Sequence, residues 1–226
     1  MHQFLMTYMP NVMELFPDMI KALWETIGMV FISGAISTLI GIPLGVILVV
    51  TRPDNILENN VIYNVVGKIV NVFRSIPFVI LLAAIIPFTR LIVGTTIGMK
   101  GALVPLVIGS IPFVARQIES ALLDIDKGVI EASQAMGSSS FEIIYRVLLK
   151  EGLPGIVYAL TITTVSLIGF SAVAGTVGGG GLGDFAIRYG YQYFKTDVMI
   201  ATILILLVLV TVIQGFGEFV LKRLSH

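Results

Sequence analysis

Cysteine is absent from all 226 residues, so no disulfide framework, thiolate metal site or cysteine nucleophile is available. Histidine is nearly absent as well: His2 and His226 stand at the two extremes of the sequence. A catalytic H-E-x-x-H is therefore missing, and no apolar stretch holds paired carboxylates or a serine–histidine arrangement, which argues against a membrane-embedded enzyme. Charge is scarce, at 12% of residues, and formally balanced at +0. That balance points neither to nucleic acid nor to an anionic surface as partner. A nucleotide-binding motif is missing too. The glycine run 178–181, with Gly183 close behind, leads into Asp184, where a phosphate-binding loop needs Lys followed by Ser or Thr. We expect this run to form a flexible external turn.

What the chain has in abundance is apolar surface: 56% of residues are hydrophobic and mean hydropathy is +0.98, a bilayer composition. Crossing the hydrocarbon takes about 20 apolar residues. The windows 26–51, 75–89, 152–183 and 198–217 meet or nearly meet that length without a charge, and 91–115 is interrupted only by Lys100. These windows predict an all-α polytopic membrane protein with five transmembrane helices, the whole of residues 1–226 forming one transmembrane domain. The start lacks the basic segment of a cleaved signal peptide, so residues 26–50 are read as a retained span.

Lysine and arginine in short loops set orientation. With the N-terminus outside, nine of them (Arg52, Lys68, Arg74, Arg116, Lys127, Arg146, Lys150, Lys222 and Arg223) fall inside, against five (Lys21, Arg90, Lys100, Arg188 and Lys195) outside. The expected topology is N-out and C-in.

Within the spans, small and polar residues mark contacts. Gly41 and Gly45 form a G-x-x-x-G that allows close helix approach where lipid gives no hydrophobic drive, and Pro43 is expected to kink or break that helix near its inner end. A second helix is predicted over 69–88, leaving Arg74 inside an apolar stretch, where it either snorkels to the surface or faces a cavity. Arg74, Ser75, Pro77, Phe170 and Ser171 are the candidates for a path through the membrane, being polar, helix-breaking or adjacent residues at depth. Arg116 and Glu119 are spaced for a local ion pair on a solvated face. Thr161, Thr163, Thr164, Ser166 and Ser171 either bond neighbouring helices or line a polar path. Tyr189, Tyr191, Tyr193 and Phe194 read most simply as an interfacial aromatic belt, and otherwise as part of a partner surface.

Between the third and fourth windows lies a polar stretch, residues 124–154. Asp124 or Asp126 can cap a short helix reaching Met136, and Gly137 is the residue type that ends helices in the left-handed conformation. Ser139 and Glu142 then match S-x-x-E, a capping box that restarts a helix to about Lys150. A helix-turn-helix elbow results, rigid because hydrogen bonds fix its ends, and the charge rule puts it inside.

Glu131, Ala132 and Gly137, followed by Val147, Leu149 and Pro154, resemble the cytoplasmic EAA loop of ABC importer permeases. Ser133 stands where the motif usually has a second alanine, and Lys150 where a proline often follows the leucine. The stretches VTRPDNI, VNVFRSIPFVILL, IPFTRLIVGTTIG and FSAVAGTVGGGGLG are similar to the permeases of methionine-uptake ABC transporters, type I importers. The resemblance implies a homodimer in the bacterial inner membrane, docked through Glu131, Ala132, Ser133 and Gly137 on two separate ATPase subunits. It further implies methionine as substrate, an external methionine-binding lipoprotein, no cofactor on this chain and ATP used by the partner ATPase. The alternatives are a permease for another amino acid or small solute, and a non-transporting structural or channel subunit.

Overall fold

The computed structural model describes residues 9–224, and among these no strand occurs. A short helix α1 (Pro10–Glu14) precedes the long α2 (Phe16–Val50), which begins ten residues before the predicted window. Asp18 in its first turn favours that early start by its charge near the helix N-terminus. Pro43 sits inside α2 without ending it, so of the expected kink or break the break is absent. Proline deletes one donor, and the helix continues around that loss.

The predicted helix over 69–88 is instead three pieces, α3 (Asn60–Ser75), α4 (Phe78–Ala84) and α5 (Ile86–Val93). Pro77 forces this: its ring disfavours helical geometry at the preceding Ile76, which is extended at φ −81° and ψ 120°. The α3–α4 pair is bent by 98° at the break. Asn59 caps α3, its side-chain oxygen accepting the amides of Val61 and Ile62 at 3.1 and 3.0 Å. Next come α6 (Gly98–Leu123), α7 (Lys127–Ala135), α8 (Ser140–Glu142), π-helical turns over Ile143–Leu148, and α9 (Leu149–Glu151). Then follow α10 (Leu153–Thr176), α11 (Gly181–Phe185), a π-helical stretch Ala186–Gln192 and α12 (Thr196–Leu224). Among the described residues four helices, α2, α6, α10 and α12, are long and apolar enough to cross a bilayer, and there are up to five if the bent α3–α4 pair is one span.

The chain divides into two compact units. The first comprises Met1–Ala35, Pro77–Ile108 and Thr164–Ile213. Its core packs Met29, Leu106 and Leu167, with Phe78 stacked on Phe170 at 4.8 Å between ring centroids. A second cluster joins Met19, Leu182, Phe185 and Val198. Asn11 donates its backbone and side-chain N–H groups to Asp197 at 3.0 and 3.1 Å, and Lys195 reaches Glu14 at 3.3 Å, so α1 is tied to the start of α12.

The glycine turn of this unit is pinned rather than flexible. Gly178, Gly180 and Gly181 all have positive φ. The Gly181 amide donates to Glu25 Oε2 at 2.9 Å, the Leu182 amide to Thr26 Oγ1 at 2.8 Å, and the Gly98 amide to the Gly178 carbonyl at 2.8 Å. The following aromatic segment is split: Tyr189 packs at 5.0 Å on Phe185, while Tyr191, Tyr193 and Phe194 are exposed.

The second unit comprises Ile36–Ile76, Gly109–Thr163 and Gln214–His226. Val114, Ile118, Leu122, Ile156 and Ala159 form one cluster, and Leu48, Val70 and Ala115 another. The G-x-x-x-G does bring backbones together. A methyl on Gly41 would lie 2.5 Å from Val114 Cγ1, and one on Gly45 would lie 2.7 Å from Ile118 Cβ. Glycine alone fits both positions without displacing a neighbour.

Candidate functional site

In the elbow, the cap is Asp126 rather than Asp124: its Oδ1 accepts the Gly128 amide at 2.7 Å. Helix α7 ends in a left-handed glycine, Gly137 at φ +81°, with the Gly137 amide bonded to the Gln134 carbonyl at 2.9 Å and the Ser138 amide to the Ser133 carbonyl at 3.1 Å. Those bonds satisfy carbonyls that a helix end otherwise leaves open. Ser139 and Glu142 complete the capping box, with the Glu142 amide donating to Ser139 Oγ at 3.4 Å and the Ser139 amide donating to Glu142 Oε2 at 3.0 Å. The Ser139 backbone N–H, then its hydroxyl, hold the Glu142 carboxyl below the ordinary glutamate range, with Arg146 adding a smaller pull.

Glu131, Ala132, Ser133 and Gly137 fall together on α7 and its cap. Glu131 itself is exposed, whereas Ser133 is 7% exposed and donates its hydroxyl to the Val129 carbonyl at 2.9 Å. Three large side chains that the motif does not mark, Met136, Phe141 and Tyr145, stand out at 78%, 75% and 68% exposure. A polar elbow rarely exposes so many large apolar side chains unless something covers them. The signal was present in the sequence as apolar residues among polar ones. A cleft of ≈ 290 Å³ opens at the root of the elbow, lined on its polar side by Asp124, Asp126 and Glu151.

The membrane-depth candidates fall in separate places. Arg74 and Ser75 occupy the last turn of α3, both exposed, with the Ser75 hydroxyl donating to the Asn71 carbonyl at 2.8 Å. In the first unit, Pro77 precedes α4, Phe170 is stacked on Phe78, and Ser171 is buried with its hydroxyl donated to the Ile168 carbonyl at 2.8 Å. Thr161 and Thr163 likewise bond carbonyls of their own helix, those of Val157 and Ala159 at 2.9 and 2.8 Å.

The Arg116–Glu119 pair exists, but not on a solvated face. Glu119 is 5% exposed, and the Arg116 guanidinium contacts it through Nη1 while Nη2 donates to the Gly67 carbonyl at 3.1 Å and to Asn71 Oδ1 at 2.9 Å. Spacing along one helix predicts a pair, yet not that α3 covers it. Arg116 thereby clamps α3 onto α6 within the second unit.

Apolar helices that cross a bilayer, a broken span and a capped polar elbow define a polytopic membrane transport subunit. The chain belongs to the family described as "Binding-protein-dependent transport system inner membrane component", which matches residues 15–226. It is a multi-pass protein of the inner membrane. It is 51% identical over 92% of its length, and 92% of the relative's, to the probable D-methionine transport system permease protein of Vibrio cholerae. With the D-methionine transport system permease protein of Escherichia coli it shares 54% identity over 70% of this chain and 72% of that one. Among solved structures, an inward-facing MetNI methionine ABC transporter superposes with a TM-score of 0.92 at 47% identity, covering 94% of this chain and 99% of that one.

Proposed function

We propose that the chain is the permease subunit of an ATP-driven importer for methionine, working as a dimer of two copies on two separate ATPase subunits and receiving substrate from an external binding protein. The observation that carries this reading is the near full-length similarity to D-methionine permeases. The chain itself binds no cofactor, and ATP is consumed by the partner. The N-terminus lies outside and the elbow, 124–154, inside, as the loop charges favour. One transmembrane domain spans the chain.

The mechanism is alternating access. ATP closes the ATPase pair, the two elbows approach each other, and the attached spans close the inner side and open the outer. A motor shifts such an equilibrium only through unequal affinity for the two states. Glu131, Ala132 and Gly137 form the motor contact, with Met136, Phe141 and Tyr145 as the apolar prominence that seats in the partner. Ser133 acts from inside, holding the turn. Arg74 and Ser75 in the second unit, and Pro77, Phe170 and Ser171 in the first, are the pathway residues to test, the last two acting by shaping the wall.

The test is uptake of labelled D- and L-methionine by vesicles containing the permease, with and without ATPase and binding protein, competed with other amino acids. ATP-dependent uptake that other amino acids do not inhibit supports the reading. Uptake of a different solute in preference to methionine transfers the mechanism to that substrate, and uptake without the ATPase refutes it. Gly137→Val tests the elbow: with φ at +81° and no atom near the added Cβ, the strain is purely of the backbone. ATP hydrolysis is expected to persist while uptake falls, and undiminished coupled uptake removes the elbow from the mechanism.

A further inference from the structure

Helix α3 presents three faces, read at about 100° per residue. Tyr63, Val66, Gly67 and Val70 turn inward within the second unit. Val61, Val65, Ile69 and Val72 form an exposed apolar stripe, suited to lipid. Between these runs a third stripe of Asn60, Asn64, Lys68, Asn71 and Ser75, all exposed. In a membrane this stripe is the anomaly. A lysine in the hydrocarbon costs up to about 2.5–3.5 kcal/mol on insertion scales, most at the centre of a span, so an exposed polar stripe on a bent helix pair of this kind faces water or another polar surface and marks function.

The stripe has a definite polarity of hydrogen bonding. Ser75 and Asn64 spend donors on the carbonyls of Asn71 and Asn60, at 2.8 and 2.7 Å. Asn71 is oriented by Arg116, whose guanidinium can only donate, so the atom facing it at 2.9 Å must be the amide oxygen. The Asn71 NH2 is thereby left to donate. Lys68 brings three further donors, enters no ion pair among the described residues, and precedes Asn71 by one helical turn, so both share a face. No Asp or Glu occurs in α3. A cation beside a fixed amide donor, without an acid to neutralise it, recognises a carboxylate.

We propose that Lys68 and Asn71 are the carboxylate-binding pair of the transit path, contacting the carboxylate that every α-amino acid carries. This rests on the importer reading above and names the substrate group that the path engages. Arg116 is a positioning residue: it aims Asn71 and does not meet the solute.

The absence of cysteine permits a direct test in the assembled transporter, with partner subunits also free of cysteine, in vesicles. Lys68→Cys is expected to lower labelled-methionine uptake about ten-fold, the scale of one lost charged hydrogen bond, with the assembled transporter recovered from the vesicles in wild-type amount. Reaction with 2-aminoethyl methanethiosulfonate rebuilds an ammonium of similar reach and is expected to restore uptake. The neutral methyl reagent is not. Val65→Cys, on the apolar stripe, serves as control and should transport normally and resist the aqueous reagent. Wild-type uptake in Lys68→Cys, equal rescue by the methyl reagent, an introduced thiol that the reagent never reaches, or equal damage from Val65→Cys each overturns the proposal while leaving the importer intact. Wild-type vesicles that import no methionine sink the importer reading itself, and the carboxylate pair with it.

Discussion

Replacing Gly45 by alanine places a methyl carbon 2.7 Å from both Ile118 Cβ and Ile118 Cγ2 and 2.8 Å from the Ala115 carbonyl oxygen. None of those atoms is the free end of a flexible side chain, so relief requires α2 and α6 to separate. Overpacking of this kind costs about 1–3 kcal/mol. Alanine also gains about 1 kcal/mol over glycine in helix propensity, which blurs a single measurement. Gly215→Ala removes the ambiguity: nothing lies within 4 Å of its added methyl, so it carries the propensity gain alone. The difference between the two variants therefore isolates the packing penalty. For a chain of this length each kcal/mol shifts the midpoint by about 2–4 °C, so Gly45→Ala should melt about 2–12 °C below Gly215→Ala in detergent, followed by retention of the monodisperse peak after heating. Equal melting of the two variants would refute close approach of α2 and α6 at this position.

Arg116→Met leaves Glu119 buried and unpaired, a loss of about 3–5 kcal/mol; adding Glu119→Leu should recover most of it, and a double variant no more stable than the single one rules out an uncompensated charge as the cause. The elbow should respond to pH with a definite sign. Because the folded Glu142 carboxyl is held below its ordinary range by Ser139, the cap contributes fully above the unfolded value and is lost as pH falls through the folded one. Amide exchange at Ser139 and Glu142 should therefore accelerate, relative to the intrinsic rate, only below the ordinary glutamate range, and Glu142→Gln should abolish that step.

Local chemistry made parts of this molecule legible. Gly137, Asp126 and the Ser139–Glu142 pair act over a few residues, so residue type and spacing predicted the elbow's first helix, its turn and the capped restart, but not the π-helical turns over Ile143–Leu148 that follow. Gly41 and Gly45 were legible for a related reason: their spacing places both on one helix face. What escaped were features defined by distant partners. Helix α3 was lost because a hydropathy window averages its faces, letting Asn60, Asn64, Lys68 and Asn71 cancel Val61, Val65 and Ile69; a periodicity of three to four residues carried the missing signal. The burial of Glu119 depends on α3 lying over it, and nothing near residue 119 records that cover. Met136, Phe141 and Tyr145 were passed over as site residues because the motif led to its own letters.

The glycine turn after α10 has a consequence for how the chain matures. Its amides at Gly181 and Leu182 are answered by Glu25 and Thr26, groups 156 residues earlier in the sequence. During synthesis the first span enters the bilayer long before the fourth exists, carrying Glu25 and Thr26 with those partners still unmade. Completion of the late turn is thus the event that releases the early helix from that debt. The bonds that hold the first span to this turn therefore form only once residue 182 has been made.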